Sequence, residues 1–223
     1  MSEAVEINNS EEEQDIEEKV IELTPEQLES ILTLADEGLS INELLEKEMI
    51  NNRTLYLNEE ITLDTINHII MLIHKYNRDD YDLEPSERVP ITLYIDSAGG
   101  EIYRGFSLVS AIESSATPVI GILQGTCMSM ALTIYLACHI RYASRFSNVL
   151  YHTLRAASDV ETLIEMENKV RHYRYLQDTL DNYILEKTEI PRKKLKRKRQ
   201  MNIDWFLTLE EMKRYKIYDQ LID

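Results

Sequence analysis

Between residues 53 and 186 the sequence alternates short apolar runs with longer amphipathic ones, and this alternation limits the fold more than any single residue does. Residues 53–58 read as a strand, and Asp64 then opens a helix with Ile66, Ile69, Ile70 and Ile73 on one stripe. Further strands are expected at 91–95, 119–123, 140–143 and 149–152, with helices at 102–114 and from Ser129 to about Cys138 between them. Ser158 and Glu161 form a capping pattern that opens a long helix through Glu186. Strands separated by helices call for βαβ units and a largely parallel sheet, so the fold class is α/β.

Charge divides the chain. The formal net charge is −16, yet residues 1–48 hold 16 acidic residues and 2 lysines, leaving −14 on that segment and −2 on the remainder. Residues 1–48 therefore read as an acidic extension, flexible at its Glu-rich start. Two short helices follow there, one capped by Thr24 with Pro25 and Gln27 and ended by Gly38, the other opened by a Ser40–Glu43 capping box. Residues 49–223 are long enough for one sizeable core. The segment 192–199, RKKLKRKR, has seven basic residues of eight. Without interleaved aromatics it reads as a solvated surface stretch, and nucleic-acid binding is not expected.

No apolar run approaches the roughly 18 residues of a membrane span. The acidic start lacks a secretory pattern. Cys127 and Cys138 sit in apolar surroundings and read as two buried thiols. A cytoplasmic location is the expectation.

Four features could carry chemistry. Ser129 follows the apolar run 118–124 and Gly125 and stands at the start of a helix, where unpaired N–H groups and the helix dipole favour negative charge. That is what a serine nucleophile and its oxyanion require, although a serine capping a helix is the plainer reading. Gly99 and Gly100 follow a strand, either as a tight turn or as a place where a substrate backbone approaches an N–H donor. His152 ends an apolar strand, and Asp204 precedes a Thr-capped helix; each reads as structural in isolation. No metal site or cofactor-binding motif is seen, including any phosphate-binding glycine loop.

Taken in order, these segments resemble the ClpP family, the proteolytic subunit of the Clp protease. The family's Leu-Tyr-Ile-Asn-Ser-Pro-Gly-Gly is met by residues 93–100, LYIDSAGG, and its Gly-Met-Ala-Ala-Ser-Met-Gly by 125–131, GTCMSMA. Its Met-Ile-His-Gln-Pro is met by 150–154, LYHTL, and its Arg-Asp-Arg/Asn-Phe-Leu-Ser/Thr by 203–208, IDWFLT. Where the family has a Gly-rich loop after the histidine, this chain has Leu154, Arg155, Ala156 and Ala157.

The resemblance implies a ClpP/crotonase-like superhelix of βαβ units with a long handle helix over 159–186, plus the short helical N-terminal extension. It implies a serine endopeptidase with Ser129 as nucleophile, His152 as general base and Asp204 as the group that orients it. Gly100 and Met130 would supply oxyanion N–H donors, and Gly99, Glu101, Ile102, Leu154 and Arg155 would contact the peptide. It further implies a ring homo-oligomer, a double heptamer, fed by an AAA+ unfoldase that uses the ATP, and no cofactor in this chain. A non-catalytic ring subunit and a phage-type maturation protease are the alternatives of the same kind. An acyl-CoA enzyme of the crotonase type would need the oxyanion donors but no Ser-His-Asp set.

Overall fold

A computed structural model describes residues 40–157 and 160–222. The expected first helix of the extension lies outside the described residues. The chain divides into Met1–Leu44 and Leu45–Asp223. Of the first unit only residues 40–44 are described. There the Ser40 hydroxyl and Glu43 carboxylate cap each other's backbone N–H groups, as the capping box requires, and open helix α1 (Ile41–Asn51).

The second unit is built on one sheet. Strands β1 (Thr54–Leu57), β2 (Ile91–Ser97), β3 (Val119–Met128) and β4 (Ile140–Ser144) lie side by side and parallel, and β7 (Gln220–Ile222) adds a parallel edge to β4. Helices α2 (Leu63–Asp79), α3 (Ile102–Glu113) and α4 (Met130–Ala137) connect the first four strands in turn. Buried positions alternate along β1, β2 and the first half of β3, which sets one face of the sheet against the core. Ile91, Leu93, Ile95, Val119 and Leu123 are buried against Ile66, Ile69 and Ile73 of α2 and Leu108 and Ile112 of α3 within one core. Helix α4 is buried throughout, as an eight-residue apolar helix without a polar face must be.

The third strand is longer than its apolar run. It continues past Leu123 because β2 and β3 fall out of register after Ile95, and the Asp96 carboxylate accepts from the Thr126 N–H at the bulge. The first half of β3 pairs with β4, and its second half pairs with β5 (Asn148–Tyr151). Strand β6 (Trp205–Leu207) then adds antiparallel to β5. A two-stranded branch of the same sheet thus starts at the second half of β3.

Two helix starts differ from the sequence expectation. Thr62, with Thr65, caps α2; Asp64 lies in its first turn, where its charge suits the helix dipole. The long helix α5 is Leu163–Lys187, opened by a Thr162–Glu165 capping box and not by Ser158 and Glu161. A third correction concerns 192–199, which is helix α6 (Arg192–Met201). Leu195 is its buried anchor, and Lys194 and Lys198 lie over the Trp205 ring, so this stretch is only partly a solvated face. Helix α7 (Leu209–Arg214) follows, capped by Thr208 and Glu211.

Candidate active site

Parallel strands place their carboxyl ends on one edge of the sheet, where ligand crevices of such folds form. Here that edge collects the residues singled out above. Ser97 of β2 pairs with Cys127 of β3, and Met128 pairs with Leu150 of β5. The turns after β2, β3 and β5 therefore emerge together, carrying Gly99 and Gly100, Ser129, and His152.

Ser129 is the strained member. Its backbone has φ 55° and ψ −122°, a positive-φ conformation that a residue with a Cβ adopts only under constraint. Its N–H donates to Leu150 O at 3.0 Å, which fixes the turn to β5. It offers α4 no side-chain cap, so the capping reading of this serine fails. A sharp, strained turn from strand to helix exposes the side chain at the top of the sheet, the arrangement used to present nucleophilic serines. Met130 begins α4, and its N–H has no acceptor within the helix.

Gly99 and Gly100 pass beside this turn with φ of 101° and 150°. A Cβ on Gly99 would stand 2.7 Å from Met128 O and 2.9 Å from Ser129 Cβ; one on Gly100 would stand 2.5 Å from Ile61 O. Both positions require glycine. The bridge to Ile61 uses Gly99 O and the Glu101 N–H, which leaves the Gly100 N–H outside that ladder.

A cavity of about 40 Å³ is lined by Gly100, Ile102, Ser129, Met130, His152 and Leu154, together with Thr133, Tyr151, Gln177, Leu180 and Ile184. Gly99, Glu101, Arg155 and Asp204 do not line it.

The imidazole and the carboxylate are each bonded to another group. Tyr151 pairs with Trp205 at the end of the antiparallel β5–β6 ladder, so His152 and Asp204 each lie one residue beyond its last pair. His152 Nδ1 nevertheless lies 2.7 Å from Thr153 O, and both Asp204 oxygens accept from Arg155 Nη2, at 2.9 and 3.0 Å. Arg155, expected to contact peptide, here contacts Asp204.

Sequence reasoning did not find the groups that hold this edge in place. Tyr151 donates to Asp181 Oδ1 at 2.7 Å, and Gln177 receives the Leu154 N–H at 2.6 Å. Burial, and then the Asp181 hydrogen bond, push the Tyr151 phenol far above its ordinary range, so it stays a neutral donor. The available signal was two polar residues, Gln177 and Asp181, four apart within the apolar stripe of Leu176, Leu180 and Ile184. Among the described residues no three His, Cys, Asp or Glu side chains are grouped to hold a metal ion, and no helix is long and apolar enough to cross a membrane.

Residues 38–223 match the model of the Clp protease family. The chain is 31% identical over 135 residues to the ATP-dependent Clp protease proteolytic subunit of Deinococcus radiodurans, an alignment covering 60% of this chain. It spans 65% of that relative, just under two thirds of its length. It is 24% identical over 172 residues to ATP-dependent Clp protease proteolytic subunit 2 of Prochlorococcus marinus subsp. pastoris, covering 76% of this chain and 82% of that one. A second Prochlorococcus marinus strain has a subunit 2 with 27% identity over 178 residues, covering 76% and 81%.

Proposed function

Because the chain belongs to the Clp protease family, we propose that it is a serine endopeptidase acting through Ser129, His152 and Asp204. The observation that carries this reading is the strained Ser129 turn opening into the same cavity as His152. In the proposed reaction Ser129 Oγ attacks the scissile carbonyl carbon while His152 Nε2 takes the hydroxyl proton. For this step the His152 Nδ1–H turns from Thr153 O to Asp204, freed from Arg155, and the carboxylate charge favours the imidazolium. The Gly100 and Met130 N–H groups receive the oxyanion. His152 then gives its proton to the leaving amine, the C–N bond breaks, and water repeats the sequence to release the acyl group. Gly99, Glu101, Ile102 and Leu154 flank the peptide.

The assembly proposed is a ring homo-oligomer of the double-heptamer type, in the cytoplasm, with a separate AAA+ ATPase feeding it. Leu163, Ile164, Val170 and Tyr175 are exposed along the first half of α5, an apolar surface that suits contact with a second copy. Analytical ultracentrifugation of the full chain tests the stoichiometry.

Labelling with a fluorophosphonate tests the chemistry. The wild-type chain is expected to take up one equivalent, and Ser129→Ala none. The hold of Arg155 on Asp204 favours a second reading, a ring subunit without activity of its own. A folded, assembled chain that neither labels nor cleaves peptide would establish that reading and exclude the first.

A further inference from the structure

We infer that Gln177 and Asp181 on α5 are positioning residues for His152, holding the segment that carries it from both sides. This rests on the serine-peptidase reading above and adds to it the groups that fix the base.

His152 follows β5 in a segment without ladder hydrogen bonds of its own, so something else must set its place. The residue before it, Tyr151, is 4% exposed and donates its phenol proton to Asp181 Oδ1 at 2.7 Å. Two residues after it, the Leu154 N–H donates to Gln177 Oε1 at 2.6 Å. Gln177 Nε2 donates to the same Asp181 Oδ1 at 2.8 Å, which closes the network. Thr153 between them donates to Asn202 Oδ1 on the exposed side. His152 is thus bracketed by two bonds to one pair of side chains, four residues apart on one helix face.

The network sits where apolar residues would serve packing better. Gln177 is 5% exposed and Asp181 8%, and their buried companions on α5 are Leu176 and Ile184. A carboxylate placed there must be fully bonded, and Asp181 is: Tyr151 and Gln177 reach one oxygen and Arg199 the other at 3.1 Å. Leucines at both positions would fill the space, but they would leave the Leu154 N–H and the Tyr151 hydroxyl without partners. Apart from Arg199, the groups this pair serves all belong to the segment carrying His152. Its evident product is therefore the position of an imidazole relative to Ser129.

The test uses the full chain and two variants. Gln177→Met keeps length and removes the bonds of Gln177 to Leu154, Asp181 and Tyr151; Tyr151→Phe keeps the ring, which packs edge-on against Trp205, and removes the bond to Asp181. Fluorophosphonate labelling of Ser129 should slow at least tenfold in Gln177→Met, and peptide kcat should fall by a similar factor with KM within twofold of wild type. Tyr151→Phe should show a smaller loss of the same kind. Amide hydrogen exchange at Leu154 should accelerate at least tenfold in Gln177→Met, and its His152 ring 15N signals should shift towards averaged tautomers. Wild-type labelling rates in folded variants would overturn the inference. If the wild-type chain does not label at all, the peptidase reading fails by itself. The exchange and 15N measurements then decide the clamp, and unchanged Leu154 protection with unchanged His152 signals would overturn it.

Discussion

Arg155 holds Asp204 by both carboxylate oxygens while His152, one residue past the β5–β6 ladder, turns its Nδ1 to Thr153 O. A backbone carbonyl and a carboxylate both accept from Nδ1–H and both leave Nε2 free to take a proton. They differ in charge: only the carboxylate stabilises the imidazolium of the transition state. In the proposed mechanism Arg155 competes with His152 for that charge.

The competition predicts opposite effects of two substitutions. The Arg155–Asp204 pair is largely exposed, and such pairs contribute about 0.2–1 kcal/mol, so it can open readily. Arg155→Ala is expected to leave stability nearly unchanged and to raise the Ser129 labelling rate several-fold. Asp204→Asn is expected to lower that rate on the order of 10³-fold or more, as loss of the orienting carboxylate does in serine peptidases. Equal labelling of Asp204→Asn and wild type would assign the orienting role to Thr153 O.

Gly99→Ala tests the other wall of the site. Its Cβ would press on Met128 O and Ser129 Cβ, and φ of 101° adds strain that an alanine cannot relieve. Labelling of Ser129 should be lost, and the urea midpoint should drop by the equivalent of about 2 kcal/mol or more. A stable, fully reactive variant would mean that this turn tolerates movement its contacts do not allow.

Much of this architecture was legible in the sequence, for a physical reason. The runs at Ile91 and Val119 are short, rich in β-branched and apolar residues and bounded by turn signals, a pattern that suits a strand with one face on a core. Ser129 was visible because a strand must end and a helix begin there. Strands β6 and β7 were not visible. Three residues each, they exist through pairing with β5 and β4, and no local pattern records a partner. Helix α6 was hidden because a helix covered by lysine stems has no apolar stripe beyond Leu195. The pairing of Arg155 with Asp204, 49 residues apart, is likewise a product of the fold.

Stability should carry a signature of Asp80. This carboxylate is 1% exposed, bound by Arg53 through both oxygens at 2.6 Å and by the Thr117 hydroxyl at 2.7 Å. The Arg53 hydrogen bonds hold its carboxyl below the usual carboxylate range, against the opposing effect of burial. A group with a depressed folded-state value contributes stability that is present above its unfolded value, near pH 4, and is lost as pH falls through the folded one. Acid titration of folding below about pH 4 should therefore be shallower in Asp80→Asn than in wild type. Asp80→Ala, which leaves Arg53 without its partner, should cost about 3–5 kcal/mol by urea denaturation at pH 7.

The two thiols should be inert while the chain is folded. Cys127 and Cys138 are free and buried. Burial pushes the Cys138 thiol up to about 12, only partly offset by Arg141, and pushes Cys127 well above its ordinary value. At pH 8 neither holds an appreciable thiolate fraction, and neither is open to a reagent. Ellman's reagent should release no chromophore from the native chain within the time of a Ser129 labelling experiment, and two equivalents once guanidinium chloride unfolds it. The Cys127→Ser, Cys138→Ser double variant should then label at Ser129 as wild type does, since a fluorophosphonate finds no competing sulfur nucleophile in the folded chain. Rapid native reaction with Ellman's reagent would show that the sheet around β3 and the end of α4 opens to solvent, and that the packing described for Cys127 and Cys138 does not hold in solution.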